Sequence, residues 1–104
     1  MKKGIELIAE ERQRQIEKEG WTAEHDDTHV QGEIARAAAS YALPEGEWTA
    51  TPVHPHLIQS REMFWPWEEN NWKPTPHDRV RELTKAGALI AAEIDRLNKL
   101  NKEK

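Results

Sequence analysis

HDDTHVQGEIARAAASYAL, residues 25–43, is the stretch that decides how this chain folds. It opens with the densest group of metal-capable side chains in the sequence (His25, Asp26, Asp27, His29) and runs on into an alanine-rich segment. Asp27 or Thr28 suits the N-cap position, and Thr28-His29-Val30-Gln31 has the form of a capping box in which Gln31 reaches back from the third helical position. A helix starting there carries His29 and Glu33 four residues apart on one face. Val30, Ile34, Ala37, Ala38 and Tyr41 form an apolar stripe beside them. A His/Glu ridge next to a buried stripe is how helical bundles build ligand and metal sites, although a solvated, capped helix start carries the same residues.

Two further helices are expected on either side. Upstream, a charged helix over about residues 3–19 has Ile5, Ile8 and Ile16 inward and Glu6, Glu10, Gln13 and Glu17 along a polar face, with Glu10 and Arg14 spaced as an ion pair. Gly20 suits its C-terminal cap, and Trp21 turns the chain toward His25. Downstream, Thr75 is a good N-cap and Pro76 fits the first helical position, where its missing N–H costs nothing. Val80, Leu83, Gly87, Ile90, Ile94 and Leu97 then recur at steps of three, four, three, four and three, a heptad-like packing seam. Gly87 sits where a mid-helix glycine costs about 1 kcal/mol, which points to close approach of a neighbouring helix.

Between residues 44 and 76 the composition changes. All six prolines lie there with Trp48, Trp65, Trp67 and Trp72, four of the five tryptophans. So long a connection is unusual unless it is functional or carries its own structure, and a short helix over residues 57–64 is expected. Phe64-Trp65-Pro66-Trp67 is too apolar to stay in water, so the insert is expected to act as core cover, an oligomer contact or a base-stacking lid. The fold class is therefore all-α: one domain over residues 1–104, a bundle of three main helices with a Pro/Trp-rich insert at about 44–76, completed by oligomerisation.

Composition narrows the function. The chain has 104 residues, 33% of them charged, and a mean hydropathy of −0.94, yet five tryptophans argue against disorder. That balance leaves a core in need of a second copy. The absence of cysteine excludes disulfides and zinc–thiolate sites, and the His/Asp cluster alone argues only weakly for zinc. A net charge of −4 disfavours extended nucleic acid as partner. No run approaches the roughly 20 apolar residues of a membrane span, and the N-terminus lacks a signal-peptide core, so a cytoplasmic protein is expected.

The runs ERQRQIEKEGWTAEHDDTHVQGEIARAAASYA, WPWEENNWKP and DRVRELTKAGALIAAEIDRL, which cover most of the chain, resemble small phage and bacterial proteins grouped with the MazG-like, all-α nucleoside triphosphate pyrophosphohydrolases of the dATP/dGTP type. The resemblance implies an oligomeric helical bundle in which acidic side chains hold Mg²⁺ or Mn²⁺ and position a triphosphate for attack by water, giving a monophosphate and pyrophosphate. That family pairs an EExxE helix with an ExxD helix. Here Glu33 stands for one acidic position, but Arg36 follows three residues later; Glu82 stands for the Glu of ExxD, but Lys85 replaces the Asp. Asp26, Asp27, His29, Asp78, Glu10 or Glu11 can substitute only where the fold brings them in.

Triphosphate chemistry needs hard oxygen ligands, cations on the transferred group and a positioned water. The residues assigned to it are Glu33, Glu82, Asp78 and Asp27 as metal ligands, and Glu33 and Lys85 as catalytic groups. Arg14, Arg81, His25, Asp26 and His29 contact substrate, and Trp21 or Trp67 stacks on a base. A non-catalytic protein that sequesters a nucleotide or grips a protein partner through the Trp-rich insert is the competing expectation, favoured by the missing carboxylates.

Overall fold

The computed structural model describes residues 1–26, 28–51 and 54–102, with the backbone alone for residues 23–24, 48–51 and 54–58. Helices dominate it: α1 (Gly4–Glu19), a single turn α2 (Ala23–Asp26), α3 (Glu33–Ala42) and the long α4 (Arg79–Lys102). α1 stops where expected. Gly20 takes a left-handed conformation (φ 74°), which glycine adopts without a Cβ penalty, and Trp21 N–H closes back on the Gln15 carbonyl at 3.1 Å.

The second helix begins later than its sequence suggests. Thr28 does not cap it; its hydroxyl donates to the His25 carbonyl at 2.7 Å and ends α2 instead. Gly32 has φ 81°, outside the helical region, so the helix can start only at Glu33. Glu33 folds back to accept the Gln31 backbone N–H at 2.6 Å, the reverse of the expected box. Asp27, the other candidate cap, lies outside the described residues. Of the apolar stripe, Ile34, Ala37, Ala38 and Tyr41 are buried, whereas Val30, outside the helix, is exposed.

α4 likewise starts three residues beyond Pro76. Thr75 opens a turn in which Asp78 N–H reaches its carbonyl at 2.8 Å, and Asp78 becomes the cap, its Oδ1 accepting the Arg81 backbone N–H at 3.1 Å. The insert is not the helix expected over residues 57–64. β1 (Glu47–Thr51) pairs antiparallel with β2 (His54–Ser60), Glu47 opposite Ser60 and Thr51 opposite His54, with a register shift between Thr49 and Thr51. A two-stranded sheet has only edge strands, so Pro55 is tolerated in β2. Arg61–Phe64 and Glu69–Asn71 then form short 3-10 turns that return the chain to the bundle.

The core joins Ile34, Ala37, Ala38 and Tyr41 of α3 to Ala86, Leu89 and Ala92 of α4, with Trp21, Trp65, Trp67 and Trp72 packed against it. Alanines let the two helices approach closely; the tryptophans supply the volume. The insert is anchored through its backbone and Arg61. Lys73 N–H donates to the Tyr41 hydroxyl at 3.2 Å, Trp72 lies 4.7 Å from the Tyr41 ring, and Arg61 is buried against Glu82 at 2.8 Å.

α1 crosses α4 at Gly87. A Cβ there would lie 2.5 Å from Ile8 Cδ1, so the glycine is what admits Ile8, as the sequence led us to expect. One turn along α1 from Ile8 and six residues before Gly87 on α4, Arg81 bonds Glu11 at 2.7 Å. Ile5, expected inward, is 77% exposed. Arg14 turns to Glu11 and Glu19, and Glu10 takes Lys2 at 2.6 Å in place of Arg14. The heptad-like seam of α4 also fails to enter this core: Leu83, Ile90, Ile94 and Leu97 are each more than two-fifths exposed.

Candidate functional site

A cleft of about 810 Å³ opens between the helices and the insert. α1 contributes Glu11, Arg14, Gln15 and Glu19; the α1–α3 connection adds Trp21, His25, Asp26 and His29. Ile34 and Tyr41 come from α3, Lys85 and Leu89 from α4, and Trp65, Pro66 and Trp67 close the insert side. The volume falls in the range of small-molecule sites.

Its aromatic side is continuous. Trp67 lies 5.0 Å from His29, 5.2 Å from Trp65 and 6.4 Å from Trp21, and Trp65 is 5.7 Å from Tyr41. These centroid distances and tilted or edge-on geometries are those of attractive aromatic pairs, so the wall is held by its own contacts. Trp65 also fixes its indole N–H on the Glu68 carbonyl at 2.9 Å. Sequence inspection singled out Trp21 and Trp67 but not Trp65 or Tyr41. The FWPW run carried the signal for Trp65; nothing local marked Tyr41, which read as core.

The polar side is a set of ion pairs. Glu11 accepts from Arg14 at 2.8 and 2.9 Å and from Arg81 at 2.7 Å, and Gln15 Nε2 is a third partner at 3.2 Å. Burial tends to raise the Glu11 carboxyl, but the two guanidiniums outweigh it and hold the group below the usual carboxylate range. Gln15 Oε1 is buried and has no hydrogen-bond partner among the described residues. Lys85 Nζ bonds the Lys73 carbonyl at 3.0 Å and stands 5.3 Å over the Tyr41 ring; burial, with Arg81 nearby, pulls its ammonium below the ordinary lysine value. Asp26 pairs with Arg12 at 3.0 Å, yet burial dominates and raises its carboxyl. His25 and His29 approach through their Nε2 atoms at 3.3 Å, and His29 Nδ1 faces Glu33 at 3.4 Å.

Of the residues assigned from sequence, the cleft therefore gathers Trp21, His25, Asp26, His29, Arg14, Trp67 and Lys85. Arg81 reaches it only through Glu11. Among the described residues, the expected metal ligands Glu33, Glu82 and Asp78 do not converge. Glu82 is fully buried beneath Arg61 and Arg79, both at 2.8 Å, and accepts the Thr75 N–H at 2.9 Å. Burial works to raise its carboxyl, but those guanidiniums outweigh it and hold it low. Asp78 caps α4, Glu33 caps the turn before α3, and Asp27 lies outside the described residues. Among the described residues no group of three or more His, Asp or Glu side chains is placed to hold a metal. Glu82 and Asp78 are thereby committed to ion pairing and capping, not free to coordinate Mg²⁺ or Mn²⁺.

Comparisons with protein-family models, with curated proteins and with solved structures find no match for this chain. Among the described residues, no helix is long and apolar enough to cross a membrane.

Proposed function

We propose that the chain binds a nucleotide in this cleft, the base against the tryptophan wall and the phosphates toward Arg14, Lys85 and the two histidines. The observation that carries the reading is one cavity lined both by contiguous Trp21, Trp67 and Trp65 and by Arg14 and Lys85. Aromatic faces stack on any base, and arginine and lysine are the usual phosphate partners.

Hydrolysis of a purine deoxynucleoside triphosphate to monophosphate and pyrophosphate is the second reading. It is favoured by Glu11, Glu19 and Asp26 lining the same cleft as Lys85. Mg²⁺ or Mn²⁺ would then enter as the counter-ion of the triphosphate, since the carboxylates nearest to hand are already paired with arginine. Binding is the better supported of the two because Glu11 and Asp26 serve as counter-ions.

A calorimetric titration with a panel of ribo- and deoxyribonucleoside triphosphates, run with and without Mg²⁺ and followed by a pyrophosphate assay, separates the readings. Saturable binding of at least one nucleotide is expected, weakened about tenfold or more by Trp67→Ala, the worth of one base–aromatic stack. Pyrophosphate release would establish the second reading; no heat with any nucleotide would refute both.

A further inference from the structure

We infer that the cleft selects its nucleotide by charge, holding a single phosphate on Lys85 and disfavouring a longer polyphosphate, an inference that rests on the nucleotide reading above. The cations of the cleft are not equally available. All three side-chain nitrogens of Arg14 already donate to carboxylates, Nε and Nη2 to Glu11 at 2.8 and 2.9 Å and Nη1 to Glu19 at 3.1 Å. Lys85 is the reverse case. Its ammonium carries three donors, yet the hydrogen bond it makes among the described residues goes to a neutral group, the Lys73 carbonyl at 3.0 Å. No carboxylate among the described residues pairs with it. Burial first, and Arg81 next, pull its ammonium below the ordinary lysine value, and an anion placed on it favours the charged form again.

The place of Lys85 suits the phosphate next to the sugar. Its Nζ stands 5.3 Å over the Tyr41 ring, which meets Trp65 at 5.7 Å, and Trp65 meets Trp67 at 5.2 Å. The ammonium thus lies one aromatic ring beyond the tryptophan wall, so a base stacked on that wall sets its sugar and first phosphate toward it. Further phosphates meet the wrong sign. Four carboxylates line the cleft, Glu11, Glu19, Asp26 and Glu68, against Arg14, Lys73 and Lys85. Arg12 and Arg81 answer Asp26 and Glu11 from behind; they cancel charge already present and leave none over for a ligand. Like charges in a half-enclosed site repel more strongly than they do in water, so each added phosphate loses affinity unless Mg²⁺ arrives with it. A nucleoside monophosphate is then the preferred ligand, and a triphosphate enters as its Mg²⁺ complex.

The test is a calorimetric titration of the full chain with adenosine, guanosine, cytidine and thymidine, each as the nucleoside and as its 5′-mono-, di- and triphosphate, first in EDTA and then in excess Mg²⁺. For the base that binds best, the monophosphate in EDTA is expected to bind about tenfold more tightly than its nucleoside, the worth of one charge-assisted contact, and about tenfold more tightly than the triphosphate. Mg²⁺ is expected to narrow the gap to the triphosphate. A monophosphate no tighter than its nucleoside, or a triphosphate in EDTA as tight as the monophosphate, overturns the inference and leaves the nucleotide cleft standing. A gap that Mg²⁺ does not narrow overturns charge as its cause. No heat with any member of the series overturns both readings. In Lys85→Met the monophosphate is expected to fall to the affinity of its nucleoside, which itself is unchanged; a folded variant that keeps the wild-type ratio of the two overturns the assignment to Lys85. The EDTA series is read on the wild type and so does not depend on that variant folding.

Discussion

At the residue scale, Glu82 shows why a spacing can point to the wrong chemistry. Its place in an ExxD-like pattern suggested a metal ligand, but Arg61 reaches it from the insert and Arg79 from its own helix, both at 2.8 Å. Twenty-one residues separate Arg61 from Glu82, and no local pattern announces that pairing. Glu82→Gln leaves two guanidiniums without their shared carboxylate, and is expected to cost about 3 kcal/mol in urea unfolding, as when one partner of a buried pair is lost. The pH dependence follows in sign. A carboxyl whose folded-state pKa lies below its unfolded value of about 4.3 gives stability that is present above that value and lost as pH falls through the folded pKa. Wild type is expected to lose stability on acidification below about pH 4, more steeply than Glu82→Gln; parallel acid transitions for the two would show that the carboxylate is not what holds the insert down. Asp26 acts in the opposite sense, its raised carboxyl gaining from protonation.

At the scale of elements, helix interiors and the bounds of α1 were legible, but the starts of α3 and α4 were not. The stripe through Ile34 to Tyr41, the Gly20 stop and the Gly87 crossing all follow from periodicity and glycine chemistry. Both of these starts were displaced by a local feature of the backbone or its cap. Gly32 in a left-handed conformation overrode the Thr28 box, and Asp78 displaced Thr75 as cap. The hairpin was missed because a short helix was expected over residues 57–64, while edge strands tolerate Pro55. The Gly87 crossing gives a test of packing. Gly87→Leu should destabilise by about 2 kcal/mol through overpacking against Ile8, whose Cδ1 lies 2.5 Å from the Cβ position. Adding Ile8→Ala should recover most of that loss in a double-mutant cycle; additive losses would mean that the two side chains do not share the notch.

At the scale of the molecule, two faces of α4 do different work. One builds the core and contributes Lys85 and Leu89 to the cleft; the other carries an apolar seam that Ile8 of α1 crosses at Gly87. The sequence revealed the seam but not its direction, since periodicity fixes which residues share a face and not what that face meets. It revealed most of the cleft's aromatic and cationic residues as well, but grouped them with carboxylates that the fold spends on caps and ion pairs. His25 to Leu43 keeps its central place on different grounds: it supplies the histidines of the aromatic wall and the floor beneath Tyr41.

The most direct test of the nucleotide cleft is the set of tryptophan indole N–H resonances in a ¹H–¹⁵N spectrum during titration with the best-binding triphosphate. Trp21, Trp65 and Trp67 line the cleft, whereas Trp72 packs behind it on Tyr41 and Arg61. The expected result is a saturating shift of Trp21 and Trp67, a smaller one of Trp65, and a nearly stationary Trp72. Shifts confined to Trp72, or none at concentrations where calorimetry reports saturation, would place the nucleotide elsewhere and contradict the account.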